Sequence, residues 1–116
     1  SRMTTTEIGR RAEQAAADYL QAQGYTILEQ NYRTRWCEID IVAIRDSTVY
    51  FVEVKYRRSS RQGSGLEYIT GKKLKQMAFA AEFWASVRHF TGPYQLSALE
   101  VSGPNFTVDH FIENVL

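Results

Sequence analysis

Cys37-Glu38-Ile39-Asp40-Ile41-Val42-Ala43-Ile44 and, five positions on, Val49-Tyr50-Phe51-Val52-Glu53-Val54-Lys55 decide the reading of this chain. Both stretches are dense in β-branched and aromatic residues, which is strand chemistry. Asp46-Ser47 between them supplies turn residues. Ionisable groups nevertheless sit inside these apolar runs. A buried charge is costly unless it is paired or bound to a metal, so Glu38, Asp40, Glu53 and Lys55 require an explanation.

A hairpin centred on Asp46-Ser47 provides one. Opposed residues then have numbers summing to 93, which sets Arg45 against Thr48, Ile44 against Val49, Asp40 against Glu53 and Glu38 against Lys55. Directly opposed residues share a face, their Cβ atoms about 5 Å apart. Alternation keeps Glu53 and Lys55 together on that face. It sends Ile39, Ile41, Ala43, Tyr50, Val52 and Val54 to the other, into the core. A slip of one residue would destroy the arrangement.

Two carboxylates this close repel if both are ionised and unpaired, and a divalent cation removes the conflict. Hard oxygen ligands at few positions, with room left for water and phosphate oxygens, suit Mg²⁺ or Mn²⁺. Bound there, the ion would lower the pKa of a water and hold a phosphoryl oxygen. Lys55 would orient the attacking water and stabilise the negative charge of the transition state. The main-chain carbonyl of Val54 offers an extra ligand. A surface hairpin in which Glu38–Lys55 and Asp40–Arg contacts are ordinary salt bridges would have the same spacing, because short motifs recur by chance.

Outward from the hairpin, apolar residues at helical spacing predict a helix over 6–23, from Ile8, Ala12, Ala15, Ala16, Tyr19 and Leu20. Thr5 or Thr6 can cap its start and Gly24 can take the left-handed position at its end. Residues 25–33 read as a first strand, 36–44 and 48–56 as the second and third. Residues 57–67, with their serines and glycines, read as a loop. A second helix is expected over 70–89, with Leu74, Met77, Ala78, Ala81, Trp84 and Ala85 as its buried stripe, stopped by Gly92-Pro93. Residues 94–101 and 106–112 read as the last strands. The order is α-β-β-β-α-β plus a short C-terminal strand, an α/β fold with a mixed sheet flanked by helices.

At 116 residues the chain is long enough for one domain and too short for two, so 1–116 is read as a single unit, with Ser1-Arg2 before Met3 as an expression scar. Hydrophobic residues at 44% and charged residues at 23% exclude a disordered or collagen-like chain. No apolar run approaches the roughly 20 residues that cross a bilayer, so no membrane association is expected. The polar start lacks an apolar signal region. The single cysteine, Cys37, excludes an internal disulfide and a Cys-based zinc cluster, and fits a reducing, cytoplasmic setting. Net charge is +1, yet residues 55–75 alone carry +6 and the remainder −5. That asymmetry suits a local anionic partner, or else a solvated loop and helix face.

Asp40 followed by Glu53-Val54-Lys55 on the next strand resembles the PD-(D/E)xK nuclease superfamily, whose core is restriction-endonuclease-like. More closely, the chain resembles the YraN-like family of bacterial proteins, similar in fold to archaeal Holliday-junction resolvases. The resemblance spans nearly the whole chain: Gly9, Glu13 and Ala16 with Tyr19-Leu20; Gly24-Tyr25 through Asn31-Tyr32-Arg33; the central Glu38 to Ala43 and Phe51 to Lys55; Lys73; and His110 to Asn114. It implies an endonuclease-like fold, binding to nucleic acid, Asp40 and Glu53 as metal ligands and Lys55 as the catalytic lysine. Glu13 would be a further acidic member reaching the metal or its water. It also implies a homodimer, since two strands must be cut, although the sequence carries no interface signature. The family usually has glycine where this chain has Cys37, which could crowd a substrate strand.

Given that site, Arg57, Arg58, Arg61, Lys72, Lys73 and Lys75 are expected to meet phosphates. Trp36 either stacks on a base or closes a core. His89 ends a helix, where a cation is favoured; His110 lies in the last strand, and both read as structural. Two functions remain open from the sequence: a Mg²⁺-dependent endonuclease acting on DNA, branched or structured DNA included, and a catalytically silent nucleic-acid-binding or adaptor protein that retains the fold.

Overall fold

Thr4 starts the first helix, one residue ahead of the expected cap. Its hydroxyl accepts the Glu7 N–H at 3.1 Å while the Glu7 carboxylate accepts the Thr4 N–H, a reciprocal capping box. The acid at the third helical position selects Thr4 over Thr5 and Thr6. The computed structural model describes residues 2–59 and 69–116. In chain order they form α1 (Thr5–Ala22), β1 (Thr26–Arg33), β2 (Glu38–Arg45), β3 (Thr48–Arg57), α2 (Gly71–Val87), β4 (Tyr94–Ser102) and β5 (Thr107–Ile112).

The strands make one sheet in the order β1-β2-β3-β4-β5. Neighbours are antiparallel except β3 and β4, which run parallel. A parallel pair needs a crossover, and the segment containing α2 supplies it. The result is the α-β-β-β-α-β core with a mixed sheet and an added C-terminal strand. The hairpin register is the expected one from Ile41↔Val52 to Arg45↔Thr48. Asp46 and Ser47 have φ of 49° and 69°, the paired left-handed conformation of a tight two-residue turn that matches strand twist.

Each face of the sheet buries one helix. On one side Ala12, Ala16, Ala17 and Leu20 of α1 pack on Ile41, Ala43, Tyr50, Val52, Leu99 and Val101. On the other, Met77, Ala80, Ala81 and Trp84 of α2 pack on Ile39, Val42, Val49, Phe51 and Leu96. Trp84 and Met77 are thus core, as expected. Ile39 is a correction: strict alternation puts it with Ile41 under α1, and it lies instead under α2. β2 also begins at Glu38, two residues later than expected, because Thr34 closes a turn with Cys37. α2 stops at Val87, short of the expected 89, where His89 turns left-handed at φ 55°. Beyond β5, Glu113 accepts from the Tyr25 hydroxyl at 3.0 Å and pairs with Arg45 at 3.4 Å, tying the chain end back to β1 and β2. Among the described residues no helix is long and apolar enough to cross a membrane.

Candidate metal centre

The site forms where β2 and β3 part company. Their described pairing stops at Ile41↔Val52, while β2 stays paired to β1 as far as Arg33↔Glu38. A continued ladder would turn the Val54 N–H toward the Ile39 carbonyl. Instead Val54 N–H donates to Asp40 Oδ2 at 2.7 Å. The carboxylate has replaced a backbone acceptor, so Asp40 sits in the opening between the strands rather than squarely beside Glu53 in the ladder. The same opening releases Ile39 to the α2 face.

Asp40 is reached from both sides of the sheet. On one, Glu13 of α1, Glu38 and Asp40 bring a carboxylate oxygen each within 4.8 Å of one another. Asn31, held at φ 54°, donates its amide to Glu13 at 2.8 Å and fixes that side chain. On the other, Glu53 is only 6% exposed and close enough to Asp40 to share a proton with it. Burial, then Glu53, push the Asp40 carboxyl up to about 8; the Val54 N–H opposes this and Glu13 adds to it. An acid pushed up in this way keeps its proton near neutral pH, or takes up a cation in its place.

Lysines face Glu53. Lys55 Nζ lies 3.8 Å from Glu53 Oε2, and Lys73 Nζ, from the first turn of α2, lies 3.4 Å from the same oxygen. Thr70 caps that turn by accepting the Lys73 N–H at 3.1 Å. Glu38 pairs with Arg33 at 3.1 Å rather than with Lys55. Glu13, Glu38 and Asp40 are therefore one group of oxygen donors, with Glu53 next to Asp40 and flanked by one ammonium group on β3 and another on α2. Hard carboxylate oxygens converging on Asp40 fit a Mg²⁺-type or Mn²⁺-type ion.

Among the described residues the other basic side chains are spread over more than one place. Lys72 is exposed at the start of α2. Lys75 lines a pocket with Phe79, Glu82, Tyr94 and Leu116, and Arg58 lines another with Gly103, Thr107 and Asp109. Arg57 belongs to the end of β3. Arg61, with the rest of the loop over 60–67, lies outside the described residues. Cys37 is half-buried, and burial pushes its thiol up, with Glu53 and Asp40 adding to the effect against Lys73. A thiol so placed is a poor nucleophile.

Sequence reasoning missed two acids. Glu38 joins the Glu13–Asp40 group, a consequence of the strand parting. Glu100 is 2% exposed on β4, directly beside Lys55 in the parallel register and opposite His110 on β5. Its Oε2 has no hydrogen-bond partner among the described residues. The signal was available: Glu100 interrupts an apolar strand just as Asp40 and Glu53 do.

Comparison with known proteins gives one family. The model of the uncharacterised protein family UPF0102, the family called YraN-like above, matches residues 12–106. A UPF0102 protein of Chlorobium chlorochromatii is 42% identical over 107 residues, 92% of this chain and 81% of that one. One from Vibrio parahaemolyticus is 42% identical over 80 residues, 69% of this chain and 66% of that one. One from Nitrosomonas europaea is 38% identical over 106 residues, 91% of this chain and 90% of that one.

Proposed function

The chain belongs to the uncharacterised protein family UPF0102, and from that premise we propose that it is a Mg²⁺- or Mn²⁺-dependent endonuclease-like protein that hydrolyses phosphodiester bonds in DNA, branched or structured DNA included. One observation carries the reading. Asp40 stands between the Glu13–Glu38 pair and Glu53, in a gap opened in an otherwise paired sheet. A fold does not by itself fix a function; the chemistry of this site is what supports the reading.

Asp40, Glu53 and Glu13, with the Val54 carbonyl, would hold the ion. When bound, it supplies an activated water at neutral pH and neutralises a phosphoryl oxygen. The Val54 N–H holds the Asp40 carboxylate in place, and Asn31 holds Glu13. Lys55 is partly exposed beside Glu53, so its ammonium can swing to the attacking water or a non-bridging phosphate oxygen and stabilise developing charge. Lys73 balances Glu53 from α2. Arg57, Arg58, Arg61, Lys72 and Lys75 would hold flanking phosphates, giving salt-dependent affinity. The working form would be a homodimer where two strands are cut, and its setting the cytoplasm.

The test is incubation with branched, single-stranded and duplex DNA in Mg²⁺ or Mn²⁺, beside Asp40→Ala and Glu53→Ala. Metal-dependent cleavage lost in both variants is expected. Cleavage that survives either one comes from a contaminant and sinks the assignment. A second reading, a nucleic-acid-binding protein without turnover, draws on one feature: two lysines already face Glu53, so that carboxylate has counter-charge without a cation. Calorimetry that detects no Mn²⁺ uptake, together with salt-sensitive DNA binding, favours it.

A further inference from the structure

Trp36 stands on a turn that is held rigid. The Thr34 hydroxyl accepts the N–H groups of Trp36 and Cys37 at 3.1 and 3.2 Å and donates to the Cys37 carbonyl at 2.8 Å. The Thr34 N–H donates to that same carbonyl at 3.0 Å. The indole so presented does not enter the core. Its ring lies 5.9 Å from Phe79 and 5.8 Å from Phe83, centroid to centroid. Those rings, one turn apart on the outer side of α2, are 40% and 47% exposed. The Arg35 guanidinium lies 4.8 Å from the indole centroid. Thr34, Arg35, Trp36 and Phe83 line a pocket of about 390 Å³, within the size range of small-ligand sites.

The patch is too small for a protein partner. A phenylalanine presents roughly 200 Å² in all, so Phe79 and Phe83 leave roughly 180 Å², and adding the exposed Tyr94 and Leu116, which share a neighbouring pocket with Phe79, about doubles it. A stable dimer buries about 800 Å² on each partner. The patch matches instead one or two planar rings, beside a guanidinium already stacked on the indole that supplies positive charge for the adjoining phosphate. Its place in the fold fits the same ligand. Trp36 is four residues from Asp40 along an extended chain, at most about 13 Å. Phe79 is six residues from Lys73 along α2, a rise of about 9 Å, and Lys73 touches Glu53. A strand whose phosphate lies at the carboxylates would carry a base to this patch within a nucleotide or two. Within a duplex each base face is covered by its neighbours, so away from the ends only an unpaired base offers a face to aromatic rings.

We propose that Trp36, Phe79 and Phe83, with Arg35, form a stacking platform for an unpaired nucleobase, so that the strand entering the carboxylate site is held single-stranded there. The proposal rests on the nucleic-acid reading given above. The arrangement selects frayed, gapped or branched substrates over intact duplex.

Binding is measured by fluorescence anisotropy in EDTA, where no cleavage occurs. The probes are a labelled single strand and a blunt duplex of equal length, with wild type, Trp36→Ala, Phe83→Ala and Trp36→Phe. Loss of a stacked ring should weaken the single strand about tenfold or more in either alanine variant, and the duplex little. The salt slope should not change, because no phosphate contact is removed. Trp36→Phe should keep most of the affinity. Phe83 lies on the outer side of α2, so Phe83→Ala keeps the test open should Trp36→Ala fail to fold. Equal weakening of both probes, or none, overturns the platform and leaves the nucleic-acid reading standing. Failure to bind either probe overturns both. A wild-type dimer in sedimentation that Phe83→Ala splits would make a second copy the occupant, and also overturns it.

Discussion

Asp40→Asn should reverse its own effect on stability when a divalent cation is added. In metal-free protein the folded-state Asp40 carboxyl is pushed up to about 8 from an ordinary value of 3.8, by burial first and Glu53 second. Between those values the folded state holds a proton that the unfolded state has lost, so stability falls as pH rises across the window. Below the unfolded value, and above the folded one, this group contributes no slope. The limiting slope is ~1.4 kcal/mol per pH unit, which caps the loss between pH 5 and pH 8 at about 4 kcal/mol. Asp40 is partly exposed and shares its proton with Glu53, so solvent screening and coupling reduce this to about 2 kcal/mol. For a chain of this size that is a shift of roughly 8 °C.

Asparagine carries no charge at any of these pH values, still accepts the Val54 N–H and can donate to Glu53. In EDTA, thermal unfolding followed by circular dichroism should therefore show wild type and Asp40→Asn converging at low pH. The variant should be the more stable by several degrees at pH 8. Saturating Mn²⁺ at pH 8 should raise the midpoint of wild type and not of the variant, because binding to the folded state alone stabilises it. Parallel pH profiles for the two proteins in EDTA would refute the shared-proton account of the site. A Mn²⁺ shift of equal size in both would refute Asp40 as a ligand.

Further predictions concern single interactions. Thr4→Ala removes the capping box and should cost about 1 kcal/mol in denaturant unfolding. Ser47→Gly relieves a left-handed backbone at a non-glycine residue and should stabilise by about 0.5–1 kcal/mol on the same measurement. Phe51→Ala empties the centre of the α2-side core, where Phe51 is fully buried against Trp84, and should cost about 3–5 kcal/mol. Glu100→Gln keeps the volume and puts a neutral amide, which can donate, where a buried carboxylate oxygen has no hydrogen-bond partner among the described residues, and should raise the unfolding midpoint. An unchanged or lowered midpoint would show that this carboxylate has a partner when the protein is in solution.

What the sequence settled by itself was local. Alternating β-branched residues, the Asp46-Ser47 turn and two amphipathic helices were enough to set the element order. They also set the hairpin register from 41 to 45 against 48 to 52, because a one-residue slip would have moved every apolar side chain to the wrong face. Acids inside apolar strands were enough to mark Asp40 and Glu53, since such placement is costly without a reason.

Only the tertiary structure decided where that register ends. β2 keeps its partner β1 and leaves β3, so Asp40 takes the Val54 N–H, Ile39 crosses to the α2 face and Glu38 turns to Glu13 instead of Lys55. None of this follows from alternation, which assumes that a ladder continues. Lys73 meets Glu53, and Glu100 stands beside Lys55, only because α2 and the parallel pairing of β3 with β4 bring distant residues together. The exposed ring cluster of Trp36, Phe79 and Phe83 has the same origin. Helical spacing marked the inner stripe of α2, but which outer residues meet the β1–β2 turn depends on how the helix lies across the sheet.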